Sequence, residues 1–104
     1  MQAAPKLLDL LRGNDTFLRG AAANALGKLG ALPQEVIPLL IQCLDSEELR
    51  ETAALSLAGY GPKAQSAVPK LLTLMPIKDK DLHHAVVVAL TSIDPTQLRA
   101  PKNP

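Results

Sequence analysis

Residues 18–30 read LRGAAANALGKLG, and this pattern returns in residues 49–61 (LRETAALSLAGYG) and 82–94 (LHHAVVVALTSID). A shorter segment that contains proline precedes each copy, in residues 4–11 (APKLLDLL), 37–44 (IPLLIQCL) and 68–75 (VPKLLTLM). The leading leucines of the longer segments are 31 and 33 residues apart. Self-similarity at such a period is typical of repeat proteins, so each copy is expected to be one structural unit.

The spacing of apolar residues predicts that both segments of each copy are helical. In the longer segments these residues recur at i, i+3, i+4, i+7, i+8 and i+11, which is one face of an α-helix. The predicted core positions are Leu18, Ala21, Ala22, Ala25, Leu26 and Leu29, then Leu49, Thr52, Ala53, Ser56, Leu57 and Tyr60, then Leu82, Ala85, Val86, Ala89, Leu90 and Ile93. The shorter segments carry Pro5, Pro38 and Pro69, each expected in the first helical turn, where the missing N–H costs little.

Polar residues and glycines mark the helix ends. Each longer segment has, three residues before its leading leucine, a side chain that can accept hydrogen bonds from a helix start: Asp15, Ser46 and Asp79. Gly30 and Gly61 follow the last apolar residue of their segments, where a left-handed residue can close a helix, and Asp94-Pro95 stops the third. Six helices in three hairpins, without strands, are therefore expected.

Amphipathic hairpins repeated at this period bury their apolar faces by stacking, which is the arrangement of an α-solenoid. We predict one all-α domain, residues 1–104, with repeats at 3–30, 34–61 and 66–94. The polar, proline-rich tail at 95–104 is expected to lie across the last repeat or to be disordered. Solenoids need polar end caps, and none is visible before Pro5, so self-association into a homo-oligomer through the ends is one expectation.

The segments 15–30 (DTFLRGAAANALGKLG) and 49–61 resemble HEAT repeats, of the short HEAT-like type also found in phycobilisome lyases. This resemblance covers nearly the whole chain. It implies an armadillo-like α-α superhelix, a right-handed α-solenoid of three hairpins whose second helices line a concave surface. The third copy departs from the pattern, because His83 replaces the arginine, Thr91-Ser92 replace Gly-Lys and Asp94 replaces the glycine, which suits a terminal repeat.

The resemblance also implies a function. It favours a non-catalytic scaffold that binds another protein through the surface of the second helices and needs no cofactor. One alternative is an accessory role like that of the bilin lyases, in which the chain binds a chromophore or its carrier protein. A HEAT-like nucleic-acid-binding domain is the less favoured alternative.

Composition agrees with a cytoplasmic interaction protein. The net charge of the 104 residues is +1, and Phe17 and Tyr60 are the only aromatic residues, whereas nucleic-acid binding needs concentrated cations and stacking partners. The apolar runs are shorter than the roughly 18–20 residues that span a bilayer, and the first residues lack a signal-peptide pattern. A single cysteine excludes an intramolecular disulfide and fits a reducing compartment. Residues 1–62 hold five basic and seven acidic side chains, whereas residues 63–104 hold six basic and three acidic ones. This difference in charge between the two parts could orient a charged partner.

The sequence shows no catalytic or metal-binding pattern. Cys43 occupies the position of Leu10 and Leu74 in the other copies, so we expect a buried structural thiol rather than a nucleophile. His83 and His84 are adjacent and would point about 100° apart on a helix, so they cannot share one metal ion.

Arg19 and Arg50 have a local explanation. Asp15 precedes Arg19 by four residues and Glu47 precedes Arg50 by three, spacings that favour weak ion pairs along a helix. We expect these structural pairs rather than a binding role.

The far side of the second helices is a candidate partner-binding surface. Winding about 100° per residue places Asn24, Leu55 and Val88 in one column and Ala23, Ala54 and Val87 in the next, away from the predicted core. The columns serve either packing between repeats or docking of a partner. The docking hypothesis assigns to partner binding the residues Leu55, Val87 and Val88, flanked by Arg50, Glu51, His83 and His84.

Overall fold

The computed structural model describes residues 3–75 and 78–98, and these ranges contain helices and turns but no strand. The α-helices are α1 (Ala3–Arg12), α2 (Thr16–Leu29), α3 (Pro33–Cys43), α4 (Arg50–Tyr60), α5 (Val68–Thr73) and α6 (Lys80–Ile93). A 3-10 helix, Gly61–Ala67, joins α4 to α5, and a second, Pro95–Leu98, follows α6.

The helices form a stack of antiparallel pairs. The second helices α2, α4 and α6 lie side by side, and α1, α3 and α5 each pack against the second helix that follows them. The described chain is elongated, with extents of 50 × 26 × 16 Å. The prediction of an all-α fold built from helical hairpins as an α-solenoid is confirmed.

Two of the three predicted N-caps are correct. The carboxylates of Asp15 and Asp79 each accept a hydrogen bond from the backbone N–H three residues later, that of Leu18 and that of Leu82, at 3.0 Å. The prediction for Ser46 is wrong, because α4 begins only at Arg50 and the Ser46 hydroxyl lies 3.5 Å from a Glu48 carboxylate oxygen. The carbonyl of Ser46 instead accepts from the backbone N–H of Arg50, which closes a turn before the helix.

The two glycines end their helices differently. Gly30 has the left-handed conformation (φ 62°, ψ 28°), and its N–H donates to the carbonyl of Leu26. Gly61 also has positive φ, but with ψ at −142° it turns the chain directly into the 3-10 helix rather than closing α4 as a left-handed cap.

The expected position of Pro38 is wrong. Helix α3 begins at Pro33, so Pro33 occupies the first turn and Pro38 lies inside the helix. Pro38 and Gln34, the residue whose carbonyl it would have bonded, are both exposed, so water can satisfy that carbonyl. Pro5 and Pro69 do lie in the first turns of α1 and α5.

The predicted core face is buried in α4 and α6 apart from Thr52 and Leu82, which are half-buried. In α2 the prediction is wrong at Leu18, Ala21 and Leu29, which are exposed, while the buried residues are Ala22, Ala23, Leu26 and Gly27. The reason is tertiary: α4 and α6 each pack against a preceding second helix, and among the described residues α2 has no such neighbour on that side.

Small residues let α2 and α4 approach closely. A Cβ added at Gly27 would lie 2.8 Å from Ser56 Cα, and one added at Gly59 would overlap the carbonyl of Gly27. The Ser56 hydroxyl donates to the carbonyl of Ala23 at 2.5 Å, a buried hydrogen bond between the hairpins. The spacing of the second helices therefore depends on backbone contact rather than on large side chains.

Tyr60 joins the end of α4 to the turn after α2. Its hydroxyl donates to the carbonyl of Ala31 at 2.6 Å, and burial raises the pKa of the phenol to about 12. The chain has one tyrosine and no tryptophan, so tyrosinate absorbance reports on this group alone.

We expect the Tyr60 phenol to titrate near pH 12 in the folded protein and near its ordinary pKa of about 10 in denaturant. The unfolded chain releases this proton at a lower pH than the folded chain does. The stability that comes from the neutral phenol is therefore complete below about pH 10 and is lost as pH rises toward 12. Spectrophotometric titration with and without urea measures both values. A folded-state midpoint near 10 would contradict the burial.

The 3-10 helix Pro95–Leu98 packs against α6. The Asp94 carboxylate accepts from the Thr96 hydroxyl at 2.5 Å and from the Gln65 amide at 3.0 Å. These hydrogen bonds, with that of Thr96 the strongest, lower the pKa of Asp94 to about 2. The first part of the predicted tail thus lies on the last hairpin, and residues 99–104 lie outside the described residues.

Candidate interaction groove

An open groove of about 410 Å³ lies between the first half of α2 and the start of α4. We call it the second-helix groove. Its apolar lining comes from Phe17, Gly20, Ala21, Leu49 and Leu55, and its polar lining from Thr16, Asn24, Glu48 and Thr52. The groove is therefore a mainly apolar depression with polar groups around it.

Helical geometry explains why these side chains share a surface. Phe17, Ala21 and Asn24 are spaced i, i+4 and i+7 on α2, and Thr52 and Leu55 are spaced i and i+3 on α4. Because α2 and α4 pack side by side, their outward faces border one depression. Gly20 has no side chain, which leaves the space between the two helices open.

Phe17 is the most exposed large apolar residue of the groove. Its side chain is 81% exposed, and Leu55 on the opposite wall is 41% exposed. Sequence reasoning missed Phe17 as a site residue. The signal was its position one residue before the leading leucine, which directs it away from the core, and its being the only phenylalanine.

The structure places only one of the seven proposed partner-binding residues in this groove, namely Leu55. Val87 and Val88 are half-buried on α6, and His83 and His84 are exposed near the N-terminal end of the same helix. Glu51 is exposed in the first turn of α4.

The two columns of the predicted surface differ in burial. Ala23 and Ala54 are buried, so this column packs between repeats, as the first interpretation expected. In the other column Asn24 and Leu55 are exposed, and Val88 is half-buried.

Arg19 and Arg50 bind backbone carbonyls rather than acidic side chains. Arg19 Nε donates to Leu11 O and Arg50 Nε donates to Leu44 O, both at 3.1 Å, at the ends of α1 and α3. The predicted pairs with Asp15 and Glu47 are wrong, since the ion pair that the described residues form is Lys70–Asp45. A cation at the last carbonyls of a helix complements its dipole, which explains a structural arginine at this position.

Cys43 is a buried thiol, as predicted. Its sulfur accepts a hydrogen bond from the Arg19 guanidinium at 3.5 Å. Burial raises the pKa of the thiol, and the nearby Arg19 opposes this effect. A buried, protonated thiol is a poor nucleophile.

The remaining chemistry-bearing residues do not converge. Within residues 3–75 and 78–98, no three His, Cys, Asp or Glu side chains are placed to hold a metal ion. In the same ranges, no helix has the length and apolarity needed to cross a bilayer.

A family model described as HEAT repeats matches residues 1–58. The match covers α1 to α3 and ends within α4. A comparison with curated proteins finds no match. HEAT repeats generally mediate protein–protein interaction or scaffolding and are typically non-catalytic. With more than half of its length matched and its second helices stacked as described, the chain belongs to the HEAT repeat family.

Proposed function

We propose that the chain is a non-catalytic scaffold that binds another protein, in the cytoplasm, through the second-helix groove. The observation that carries the proposal is the exposure of Phe17 and Leu55 on facing walls of one apolar depression. A cluster of large apolar side chains at the centre of a surface depression can anchor a protein partner once water is excluded. Leu55 was among the partner-binding residues predicted from the sequence and remains central to the proposed site, and Phe17 is added to that site.

The charges around the groove indicate the chemistry of the partner. Glu48 lines the groove, and Glu47 and Glu51 are exposed close to it in sequence. A segment that inserts a large apolar side chain and flanks it with Lys or Arg would complement this surface. Glu51 thus keeps the flanking role that we assigned to it.

The groove favours a protein over the two alternative ligands. Its lining includes a carboxylate and, among the described residues, no Lys or Arg that could pair with the carboxylates of a bilin or the phosphates of a nucleic acid. Cys43 is buried and cannot reach a ligand in the groove. We therefore expect no change in bilin absorbance on titration with the protein, and a bilin spectral shift that Phe17→Ser abolishes would favour the chromophore role instead.

The proposal predicts that the double variant Phe17→Ser, Leu55→Ser binds the partner of the wild-type chain with an affinity at least about tenfold lower. Quantitative capture from the source cells, followed by titration with the purified partner, measures this. Leu72→Ser is the matched control, because Leu72 is similarly exposed (38%) but lies on α5, away from the groove.

Both variants should keep wild-type helicity and melting temperature, because the altered side chains are exposed. Equal loss of binding in the groove variant and in the control would contradict the proposal. So would full binding by the groove variant.

A further inference from the structure

The second hairpin packs on the first through one side of α3 and α4. The Cys43 sulfur accepts from Arg19, the Ser56 hydroxyl donates to the carbonyl of Ala23, and Tyr60 donates to the carbonyl of Ala31. Leu49 lies against Gly20. The positions of the second hairpin that face the first are thus Cys43, Leu49, Ser56 and Tyr60, and all are buried.

The same positions in the first hairpin are Leu10, Leu18, Ala25 and Leu29, which we call the end face. Leu10 and Leu18 are each 40% exposed and Leu29 is 59% exposed, while Ala25 is half-buried. In the third hairpin the corresponding Ala89 and Ile93 are buried, and Leu74 and Leu82 are half-buried. The end face therefore has the positions that the chain uses twice between its own hairpins, and at the first hairpin no residue of 3–75 or 78–98 covers it.

The pattern of the end face is nearly symmetrical along α2. A leucine stands near each end of the helix, at Leu18 and Leu29, with Ala25 between them. Ala21, an exposed residue at the edge of the second-helix groove, borders this row of side chains. If a second α2 packs antiparallel, each Leu18 meets a Leu29 of the other copy and alanine meets alanine. Small residues in the middle permit the close approach that Gly27 and Ser56 show between α2 and α4.

Charge favours the same orientation. Asp15 caps the N-terminal end of α2, and Lys28 lies in its last turn. Antiparallel packing brings the basic end of one helix toward the acidic end of the other and opposes the two helix dipoles, whereas parallel packing brings like charges together.

We propose that the end face binds a second copy of this chain, as a two-fold dimer in which the two α2 helices pack antiparallel. A two-fold interface places the same patch on both subunits, which the pattern of Leu18, Ala21, Ala25 and Leu29 satisfies. This proposal does not rest on the function proposed for the second-helix groove, although Ala21 borders both surfaces.

Light scattering after gel filtration, over a range of concentrations, measures the molar mass that the 104-residue chain has in solution. We expect about twice the monomer mass of 11.0 kDa at high concentration, with dissociation on dilution. Leu18→Glu should raise the dissociation constant at least about tenfold, because both subunits then bury a carboxylate against leucine. Leu72→Glu, at a similarly exposed leucine on α5, should leave it unchanged.

A pair of charges tests the orientation. The variant Leu18→Glu, Leu29→Lys should dimerise more tightly than either single variant, because antiparallel helices place each new carboxylate opposite a new ammonium group. In a parallel pair like charges would meet, and the double variant would be weaker than the single ones. Circular dichroism on every variant verifies that helicity is kept.

The proposal is wrong if the wild-type chain is monomeric at all concentrations. Species larger than a dimer would indicate head-to-tail stacking and would also overturn it. If neither Leu18→Glu alone nor Leu29→Lys alone weakened the dimer, the interface would lie elsewhere and the proposal would be wrong.

Discussion

Replacing Gly27 with alanine is expected to lower the free energy of unfolding by about 1–3 kcal/mol. The new Cβ would lie 2.8 Å from Ser56 Cα and 2.9 Å from Ser56 O. Both are backbone atoms of a packed helix, so relief requires α2 and α4 to separate. Separation would also weaken the hydrogen bond from the Ser56 hydroxyl to the carbonyl of Ala23.

Gly20 on the same helix is the matched control. A Cβ there would meet Leu49 Cδ2 at 3.5 Å, an ordinary contact with a side chain. Gly20→Ala should therefore raise the free energy of unfolding by about 0.5–1 kcal/mol, through the better helix propensity of alanine. Urea denaturation of both variants measures the difference, and equal stability of the two would show that the helices do not need the glycine contact.

The second large effect is expected at Leu57. Its side chain is fully buried among the hairpins, so Leu57→Ala removes buried methyl groups and leaves a cavity. Such replacements cost about 2–5 kcal/mol. For a domain whose total stability is on the order of 5–15 kcal/mol, this is a substantial part of the whole.

Leu55, two residues earlier on α4, provides the comparison. It is exposed in the second-helix groove, so Leu55→Ala should cost less than about 1 kcal/mol. Thermal and urea melts of the two alanine variants test this ordering. If Leu55→Ala proved as costly as Leu57→Ala, the outward orientation of Leu55, and with it the groove, would be wrong.

These two predictions bear on function through the same geometry. The second-helix groove exists because α2 and α4 meet along glycine, alanine and serine, which fixes their separation while their outward faces stay free. A change at Gly27 should therefore weaken partner binding as well as stability. A change at Phe17 should affect binding alone.

Local chemistry made some features predictable from sequence. The caps at Asp15 and Asp79 and the left-handed Gly30 depend on residues within one turn, and the structure confirms them. The prediction of a cap at Ser46 was wrong because the chain forms a turn from Ser46 to Leu49 before α4 begins. The prediction that Cys43 is buried is also confirmed, although Leu10, at the same position in the first copy, is 40% exposed.

The candidate site was only partly predictable. Periodicity identified Leu55 as pointing away from the core, but it could not show which residues of a neighbouring helix would lie beside it. Phe17 comes from α2, and it joins Leu55 only because the helices pack side by side. Arg50 was assigned to a partner surface, yet its guanidinium binds the carbonyl of Leu44, a contact between a loop and a helix that spacing does not encode.

The sequence by itself determined the six helices, their pairing into hairpins and the α-solenoid, because periodicity and a period near 32 residues are local and repeated properties. Only the tertiary structure decided which predicted core residues are buried. Leu18 and Leu49 hold the same place in their repeats, but Leu49 is covered by the preceding hairpin and Leu18 is exposed. Burial depends on the neighbour that a helix meets, and a pattern shared by all copies cannot tell the first of them from the others.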